Sequence, residues 1–345
     1  MSSETFVEPV ANRLTLAQIA KDASVSMSTV SKVLNGRSGI SPLTRERIEL
    51  LLQDQGYNRR GVENTQGSLI EIVFERIDSG WALELIRGVE RVARENSLSV
   101  VLTECDSRHA LADEWMVGVM QRRPVGVILV FSELKPEHKR QLRTRNIPFV
   151  VVDPAGEPAP DVPRVGSANW SGGFAATQHL LELGHRRIGL ISGPTDMMCA
   201  QARAAGYWSA LSAAGVQADT SLMLEGNFDR DTGIRLGTAL LQLNPRPTAI
   251  FAGNDLQALG VYEAARALGV SIPEELSVVG FDDLEVSGWV SPPLTTVHQP
   301  LIEMAEEATR LVLRLRSQKE ADNLRLDLAT TLVVRGSTQA PQSGR

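Results

Sequence analysis

The stretch TLAQIAKDASVSMSTVSKVLN, Thr15 to Asn35, determines how the N-terminal part of the chain folds. Its apolar residues recur at helical spacing in two short runs, Leu16 to Ala23 and Val30 to Leu34. Ser26 is placed to cap the second helix, and only a short polar turn separates the two runs. Helices this short bury little surface unless they pack on one another. The pattern therefore predicts a helix-turn-helix unit, completed by a third helix from about Pro42.

The N-terminal segment is basic although the chain as a whole is acidic. Eight basic and four acidic residues lie between Arg13 and Arg60, a net charge of +4, whereas the 345-residue chain carries −6. The net charge alone argues against a nucleic-acid partner, but a basic patch on a small unit argues for one. The charge distribution therefore favours DNA as a partner of this segment.

The exposed face of the second helix carries short hydrogen-bonding groups, one flexible apolar side chain and one cation. Such a face suits a DNA major groove, where hydroxyl groups contact phosphate oxygens and residues near the helix start reach base edges. The predicted phosphate contacts are Ser26, Thr29 and Ser31, and the predicted base contacts are Met27, Ser28 and Lys32. The alternative is a solvated face of a small helical cap.

Thr15–Asn35 and the stretch SPLTRERIELLLQDQGY together resemble the DNA-binding headpiece of the LacI/GalR (lactose-repressor) family of bacterial transcription factors. The similarity covers the three helices in register, and Ser24 stands where the family usually has glycine. The resemblance implies a headpiece over residues 13–58 that binds double-stranded operator DNA, and it adds Thr15 and Asn35 to the DNA-binding set.

The segment 59–68 is predicted to be the hinge between headpiece and core, and it departs from the family pattern. In the family a hinge leucine enters the minor groove, whereas here two glycines, Gly61 and Gly67, weaken any helix. We expect this hinge to contact DNA through Arg59 and Arg60, on phosphates or in a narrow minor groove.

From Leu69 onward, short β-rich runs alternate with amphipathic helical segments. The predicted strands are LIEIVF, SVVLTE, VGVILVF, IPFVVVD, RIGLIS, TAIFAG and LSVVGFD. This alternation predicts mostly parallel sheets that bind ligands at the carboxyl ends of their strands. About 270 residues are too many for one such sheet, so two lobes are expected.

This body resembles the periplasmic-binding-protein-like core of the same family, on stretches such as LLELGHRRIGLISGP, SPPLTTVHQP and LVVRGST. The resemblance implies a core over residues 69–340, with a first lobe over about 69–167 and 298–328 and a second over about 168–297 and 329–340. The fold class is then a small all-α helix-turn-helix headpiece plus an α/β two-lobed core of two doubly wound parallel sheets.

Polar residues follow several predicted strands. Asp153, Asn254 and Asp282 each stand at a strand end, and the loop after the first strand contains Asp78 and Trp81. Hydrogen-bonding groups beside aromatic faces suit a sugar, and the scarcity of cations nearby favours a neutral sugar over a phosphosugar. Strand-end turns and helix caps are the alternative roles for the polar residues, and packing is the alternative role for the aromatic ones.

The resemblance assigns sugar-hydroxyl ligands to Asp153, Asn254 and Asp282, and a stacking aromatic ring to Phe228. In the family an arginine in the segment MMCAQARAAGY grips sugar hydroxyls. The expected place is occupied by Gln201, with Arg203 two positions later, and the resemblance does not decide between them.

The leading hypothesis is a homodimeric repressor, released from a pseudo-palindromic operator when a neutral mono- or oligosaccharide binds between the core lobes. Alternatives are a sugar-binding protein without a DNA-binding role, and a regulator with a non-sugar effector that acts as a corepressor. An enzyme using Asp153 or Asp282 as acid or base is a third. The sequence contains no nucleophile elbow, phosphate loop or metal-ligand cluster, so no catalytic residue, metal or cofactor is predicted.

The N-terminus lacks a signal-peptide pattern, and no apolar run reaches membrane-spanning length. The two cysteines, Cys105 and Cys199, lie far apart in sequence and belong to no metal-binding or redox motif. They are predicted to be structural thiols. These features predict a cytoplasmic protein without a membrane partner.

Overall fold

The computed structural model describes residues 16–34, 39–54, 68–105, 112–131, 134–154, 156, 159, 161–317 and 325–342. The chain divides into two compact units. One unit contains Met1–Gly67 and Lys135–Ile147, and the other contains Ser68–Leu134 and Pro148–Arg345. No described helix is both long and apolar enough to cross a membrane.

The helices and strands alternate along most of the chain. The helices are α1 (Leu16–Asp22), α2 (Met27–Leu34), α3 (Pro42–Asp54), α4 (Gly80–Glu95), α5 (Asp113–Arg122), α6 (Pro136–Thr144), α7 (Asn169–Glu182), α8 (Met198–Ala213), α9 (Arg230–Leu241), α10 (Asp255–Leu268), α11 (Val286–Trp289) and α12 (Leu301–Ser317). The strands are β1 (Leu69–Phe74), β2 (Ser99–Glu104), β3 (Gly126–Val130), β4 (Phe149–Val152), β5 (Arg164–Ser167), β6 (Ile188–Ser192), β7 (Met223–Glu225), β8 (Ala249–Ala252), β9 (Ser277–Asp282), β10 (Thr295–His298), β11 (Arg325–Leu328) and β12 (Thr331–Val333).

Helices α1 to α3 of the first unit form the predicted helix-turn-helix. They pack around Ile19, Val30 and Ile48, each of which is fully buried. Ser26 caps α2 as predicted, because its Oγ accepts a hydrogen bond from the backbone amide of Thr29 at 3.2 Å. Burial of one stripe on each helix thus holds three elements that would be unstable alone.

The second unit contains two six-stranded sheets. The first lobe is built on the sheet β2-β1-β3-β4-β5-β11, and the second lobe on β7-β6-β8-β9-β10-β12. The first five strands of each sheet are parallel and follow the doubly wound order, with helices on both faces. The predicted fold class is confirmed, although β12 pairs antiparallel with β10, which was not predicted.

The chain crosses between the sheets three times. It leaves the first sheet after β5 and enters the second lobe with α7, and it returns after β10 to α12, which packs in the core of the first lobe. It crosses again between β11 and β12. The Ala168 amide donates to the Leu328 carbonyl at 2.8 Å, so two of the three crossing segments are hydrogen-bonded to each other. Side chains on these segments can contact both lobes.

Candidate functional site

Arg203 is the centre of a buried polar cluster in the second unit. It lies on α8, is 4% exposed, and every nitrogen of its guanidinium group donates a hydrogen bond. The acceptors are Asn169 Oδ1 (2.8 Å), the Gly253 carbonyl (2.7 Å) and Gln299 Oε1 (3.1 Å). Its carbon Cζ lies 3.7 Å from the centroid of the Phe281 ring. Hydrogen bonds and a cation–π contact therefore fix the guanidinium in one orientation.

Two carboxylates from opposite lobes flank this cluster. Asp153 follows β4 of the first lobe and Asp282 ends β9 of the second, and each is 3% exposed. Asp153 Oδ2 accepts a hydrogen bond from Gln299 at 3.0 Å, and Asp282 Oδ1 lies 3.6 Å from Nη1 of Arg203. Both aspartates have a left-handed backbone, with φ of 48° and 109°. Such strain at a strand end is typical of functional sites.

The carboxylates differ from exposed ones in their acidity. Burial raises the pKa of Asp153, while Arg203 and hydrogen bonds from Gln299 and Asn169 oppose the rise. Burial also raises the pKa of Asp282 well above its usual range; Arg203 opposes this rise, and the nearby acidic groups Asp255 and Asp153 add to it. One guanidinium thus serves several buried acids, so no positive charge is left over to bind an anion and a hydroxyl-bearing ligand suits the site better.

Asn169 and Gln299 connect the cluster and were not predicted from the sequence. Both lie next to crossing segments: Asn169 is the first residue of α7, and Gln299 follows β10. Gln299 donates to Asp153 and accepts from Arg203, so its amide bridges the two lobes. No periodic pattern marks either residue, because each acts through contacts far away in sequence.

Phe228 and Asn254 form the part of the site beside α10. Asn254 caps α10, because its Oδ1 accepts from the Gln257 amide at 2.9 Å, and its Nδ2 donates to the Phe228 carbonyl at 2.9 Å. The Phe228 ring packs against Met197, Cys199 and Ala200. A Cβ atom on Gly193 would lie 2.0 Å from that ring, so any other residue there would displace the ring. The capping role that the sequence left open for Asn254 is confirmed.

The predicted DNA-contacting face of α2 is open to solvent in part. Met27 is 57% exposed, and Ser28 and Lys32 are also exposed, whereas Thr29 and Ser31 are half-buried. The Ser26 hydroxyl is within hydrogen-bond distance of the hydroxyls of Ser28 (2.8 Å) and Thr29 (2.9 Å). The remaining predicted DNA contacts, Thr15, Asn35, Arg59 and Arg60, lie outside the described residues.

Comparison with known proteins identifies the family. Residues 15–59 match the profile described as bacterial regulatory proteins, lacI family, and residues 177–338 match the periplasmic binding protein-like domain. The transcriptional repressor CytR of Escherichia coli (strain K12) is 32% identical over 331 residues, which cover 94% of this chain and 96% of that protein. The chain belongs to the LacI family. The ribose operon repressor of Escherichia coli (strain K12) is 32% identical over 328 residues, covering 94% of this chain and 99% of that protein.

Solved structures of LacI-family regulators share the fold. A complex of the transcriptional regulator CelR with cellobiose has a TM-score of 0.72 and 33% identity, covering 94% of this chain and 100% of that chain. The Lac repressor dimer bound to operator and the anti-inducer ONPF has a TM-score of 0.68 and 25% identity, covering 95% and 100%. The headpiece and the two-lobed core therefore occur together in relatives of known structure.

Not every residue predicted for the LacI-family effector site joins the cluster. Gln201 is exposed and its amide donates to the Thr195 carbonyl at 2.6 Å, so the structure places Arg203 and not Gln201 beside the carboxylates. Asp78 forms an exposed ion pair with Arg76. Trp81 stacks on Phe131 with ring centroids 4.8 Å apart, and Phe131 in turn packs against the apolar group around Cys199. The roles of all these residues in binding stay predictions.

Proposed function

We propose that this protein is a cytoplasmic transcriptional repressor that binds a pseudo-palindromic operator as a homodimer and is released when a neutral sugar binds between the two core lobes. The observation that carries the proposal is the buried cluster of Arg203 with Asp153 and Asp282, in a chain whose residues 15–59 match the lacI-family headpiece. Two relatives support a sugar as the effector, because one is a ribose operon repressor and another is bound to cellobiose.

The chemistry of the cluster suits sugar hydroxyl groups, which both donate and accept hydrogen bonds. Carboxylates accept from them and a guanidinium donates to them, and an enclosed site strengthens both interactions. Asp153 belongs to one lobe, whereas Asp282 and Arg203 belong to the other. A sugar that contacts both lobes favours the lobe arrangement in which Asp153, Asp282 and Arg203 all reach it. It shifts the equilibrium between the two lobe arrangements by the ratio of its affinities for them.

Sugar binding and DNA binding must affect each other equally. If a sugar weakens operator binding by some factor, operator DNA weakens sugar binding by the same factor. We propose no catalytic role for Asp153 or Asp282, since the members of this family are DNA-binding regulators.

The test is operator binding by the purified full chain, measured by fluorescence anisotropy on DNA from upstream of its own gene. Affinity is measured from about 50 to 200 mM salt, where phosphate contacts make the logarithm of affinity fall linearly with the logarithm of salt concentration. Glucose, ribose and cellobiose are then added in turn. Release by one of them supports the proposal, and tighter DNA binding would instead indicate a corepressor. Absence of binding to any palindrome at low salt contradicts a DNA-binding role.

Two variants separate the two activities. Lys32→Ala should lower operator affinity and relax the sequence preference without changing sugar affinity, because Lys32 lies on the exposed face of α2 and is predicted to contact a base edge. Arg203→Lys should lower sugar affinity while DNA binding without sugar persists, because lysine cannot reproduce the forked hydrogen bonds. Arg266→Ala is the matched charge control for both, since it removes an exposed cation from α10.

A further inference from the structure

A cavity next to the crossing segment between β5 and α7 extends the site beyond the Arg203 cluster. It has a volume of about 230 Å³, and its lining includes Asp153, Ser167, Asn169 and Trp170 together with residues at the start of α8. Asp153 and Asn169 also belong to the Arg203 cluster, because Asn169 accepts from Arg203 and Asp153 is bridged to it through Gln299. The cavity and the cluster are therefore parts of one continuous site.

Two polar residues that line this cavity each contain an atom without a hydrogen-bond partner among the described residues. Ser167 is 6% exposed, and its hydroxyl has no hydrogen-bond partner among the described residues. The same is true of Nε of Arg164, although its two terminal nitrogens donate to Asp327 at 3.0 and 3.2 Å. Buried polar atoms in folded proteins are nearly always paired. The unpaired atoms at the wall of this cavity are therefore available to the hydroxyl groups of a ligand.

The apolar lining provides an aromatic surface. Trp170 is 46% exposed, and its ring stacks on Phe174 with centroids 5.3 Å apart and an angle of 21°. The packing on Phe174 holds the indole in place while almost half of the residue stays accessible. Carbohydrate sites commonly combine aromatic surfaces with a few well-placed polar groups. Met198 and Cys199 of α8 supply further apolar lining.

The charges around the cavity favour a neutral ligand. Asp153 and Asp327 contribute two carboxylates, and the Arg164 guanidinium is already paired with Asp327 through two hydrogen bonds. A phosphate group placed here would lie near carboxylates without an uncommitted cation among the lining residues, which is unfavourable in an enclosed site.

We infer that this cavity is a second sugar-ring subsite, so that the effector is a disaccharide or longer, with one ring at the Arg203 cluster and the next against Trp170. The volume fits this assignment, because it is smaller than the roughly 300–1,000 Å³ of pockets that hold a whole drug-sized ligand. The inference rests on the proposed sugar-responsive function, and it narrows the effector to a class of neutral oligosaccharides.

The experiment compares the affinity of the protein for a monosaccharide with its affinity for disaccharides. Calorimetric titration of the full chain with glucose, cellobiose, maltose and trehalose should show at least one disaccharide that binds about tenfold or more tightly than glucose. Trp170→Ala should weaken that disaccharide about tenfold and change glucose affinity less than about twofold. Ser167→Ala should also weaken the disaccharide while thermal stability is unchanged, because the hydroxyl makes no hydrogen bond to described residues.

Two controls separate stacking from a structural effect. Trp289→Ala removes a 70% exposed tryptophan that does not line the cavity, and it should leave both sugar affinities unchanged. Trp170→Phe keeps an aromatic surface and should retain most of the disaccharide affinity. In addition, the fluorescence change on adding the disaccharide should be smaller in Trp170→Phe than in the wild type, because the reporting indole is gone.

The possible failures are distinguishable. If Trp170→Ala leaves disaccharide affinity unchanged, or weakens glucose and disaccharide equally, the subsite is wrong and the sugar-responsive function stands. If the wild type binds ribose but none of these four sugars, the subsite is wrong and the sugar-responsive function stands; if it binds none of the five while its fold is intact, both proposals fail.

Discussion

Replacing Arg203 with methionine tests how far the guanidinium holds the core together. Methionine fills part of the volume but removes every hydrogen bond that Arg203 donates and the only cation within 4 Å of Asp282 among the described residues. Breaking a buried ion pair from one side costs about 3–5 kcal/mol, and each orphaned neutral acceptor adds about 1–3 kcal/mol where it cannot relax. Because the carboxyl groups can take up protons, we expect a loss of about 3–5 kcal/mol near neutral pH.

The loss should depend on pH with a defined sign. Burial raises the folded-state pKa of Asp153 and of Asp282, so each contributes stability that is complete below its unfolded pKa and is lost as pH rises through its folded pKa. Arg203 lowers both folded values. Without it the folded pKa values rise further, and stability is lost over a wider range of rising pH. The destabilisation should therefore be smaller at about pH 5 than at about pH 8.

Urea unfolding followed by tryptophan fluorescence measures this effect on the core. All five tryptophans lie between Trp81 and Trp289, so the signal comes from the second unit. Arg246→Met is the matched control: its ion pair with Glu275 has both side chains 38% exposed, and such pairs contribute about 0–1 kcal/mol. A loss below about 1 kcal/mol for Arg203→Met, or an equal loss at both pH values, would refute the reasoning.

Three further substitutions test other features. Ser24 has a φ of 52°, so Ser24→Gly should stabilise the headpiece by about 1 kcal/mol in thermal unfolding followed by circular dichroism, with the core transition unchanged. Gly193→Ala places a Cβ 2.0 Å from the Phe228 ring and should lower core stability by about 1–3 kcal/mol and weaken sugar binding, whereas Gly288→Ala meets nothing within 4 Å and should do neither. Burial raises the pKa of Asp255 to about 7, so its stabilising contribution falls as pH rises from about 4 to about 7; urea unfolding of Asp255→Asn should show a weaker dependence on pH over that range.

The sequence predicted the strands that contain an apolar run and missed the short ones, including β5 and β10 inside the sheets. Strands such as β3 and β9 are buried on both faces and therefore appear as continuous apolar runs. Strands β7 and β11 lie at sheet edges, are short and are partly exposed, so no apolar run marks them. Helix α12 is different, because Leu301, Met304, Ala308 and Leu311 form a buried stripe at helical spacing that periodicity alone could have found.

The choice between Gln201 and Arg203 shows what periodicity cannot supply. Two positions on a helix differ by about 200° around the axis, so only one of the two can face the carboxylates. The packing of α7 on α8 fixes the orientation: a Cβ on Gly173 would lie 2.2 Å from the Arg203 carbonyl oxygen, so the two backbones are in close contact there. The sequence alone does not predict that Gly173 is needed at this contact, because the contact depends on how α7 and α8 pack together.

The position of Gln299 links effector chemistry to lobe geometry. Its amide nitrogen donates to Asp153 of the first lobe and its amide oxygen accepts from Arg203 of the second, at 3.0 and 3.1 Å. Gln299 itself lies between β10, in the second sheet, and α12, in the core of the first lobe. Because one short planar group makes both bonds, a rotation that moves Asp153 away from Arg203 must lengthen or break at least one of them. We therefore expect a sugar hydroxyl that replaces either bond to act directly on a crossing segment, so coupling between sugar and lobe arrangement needs no long pathway of contacts.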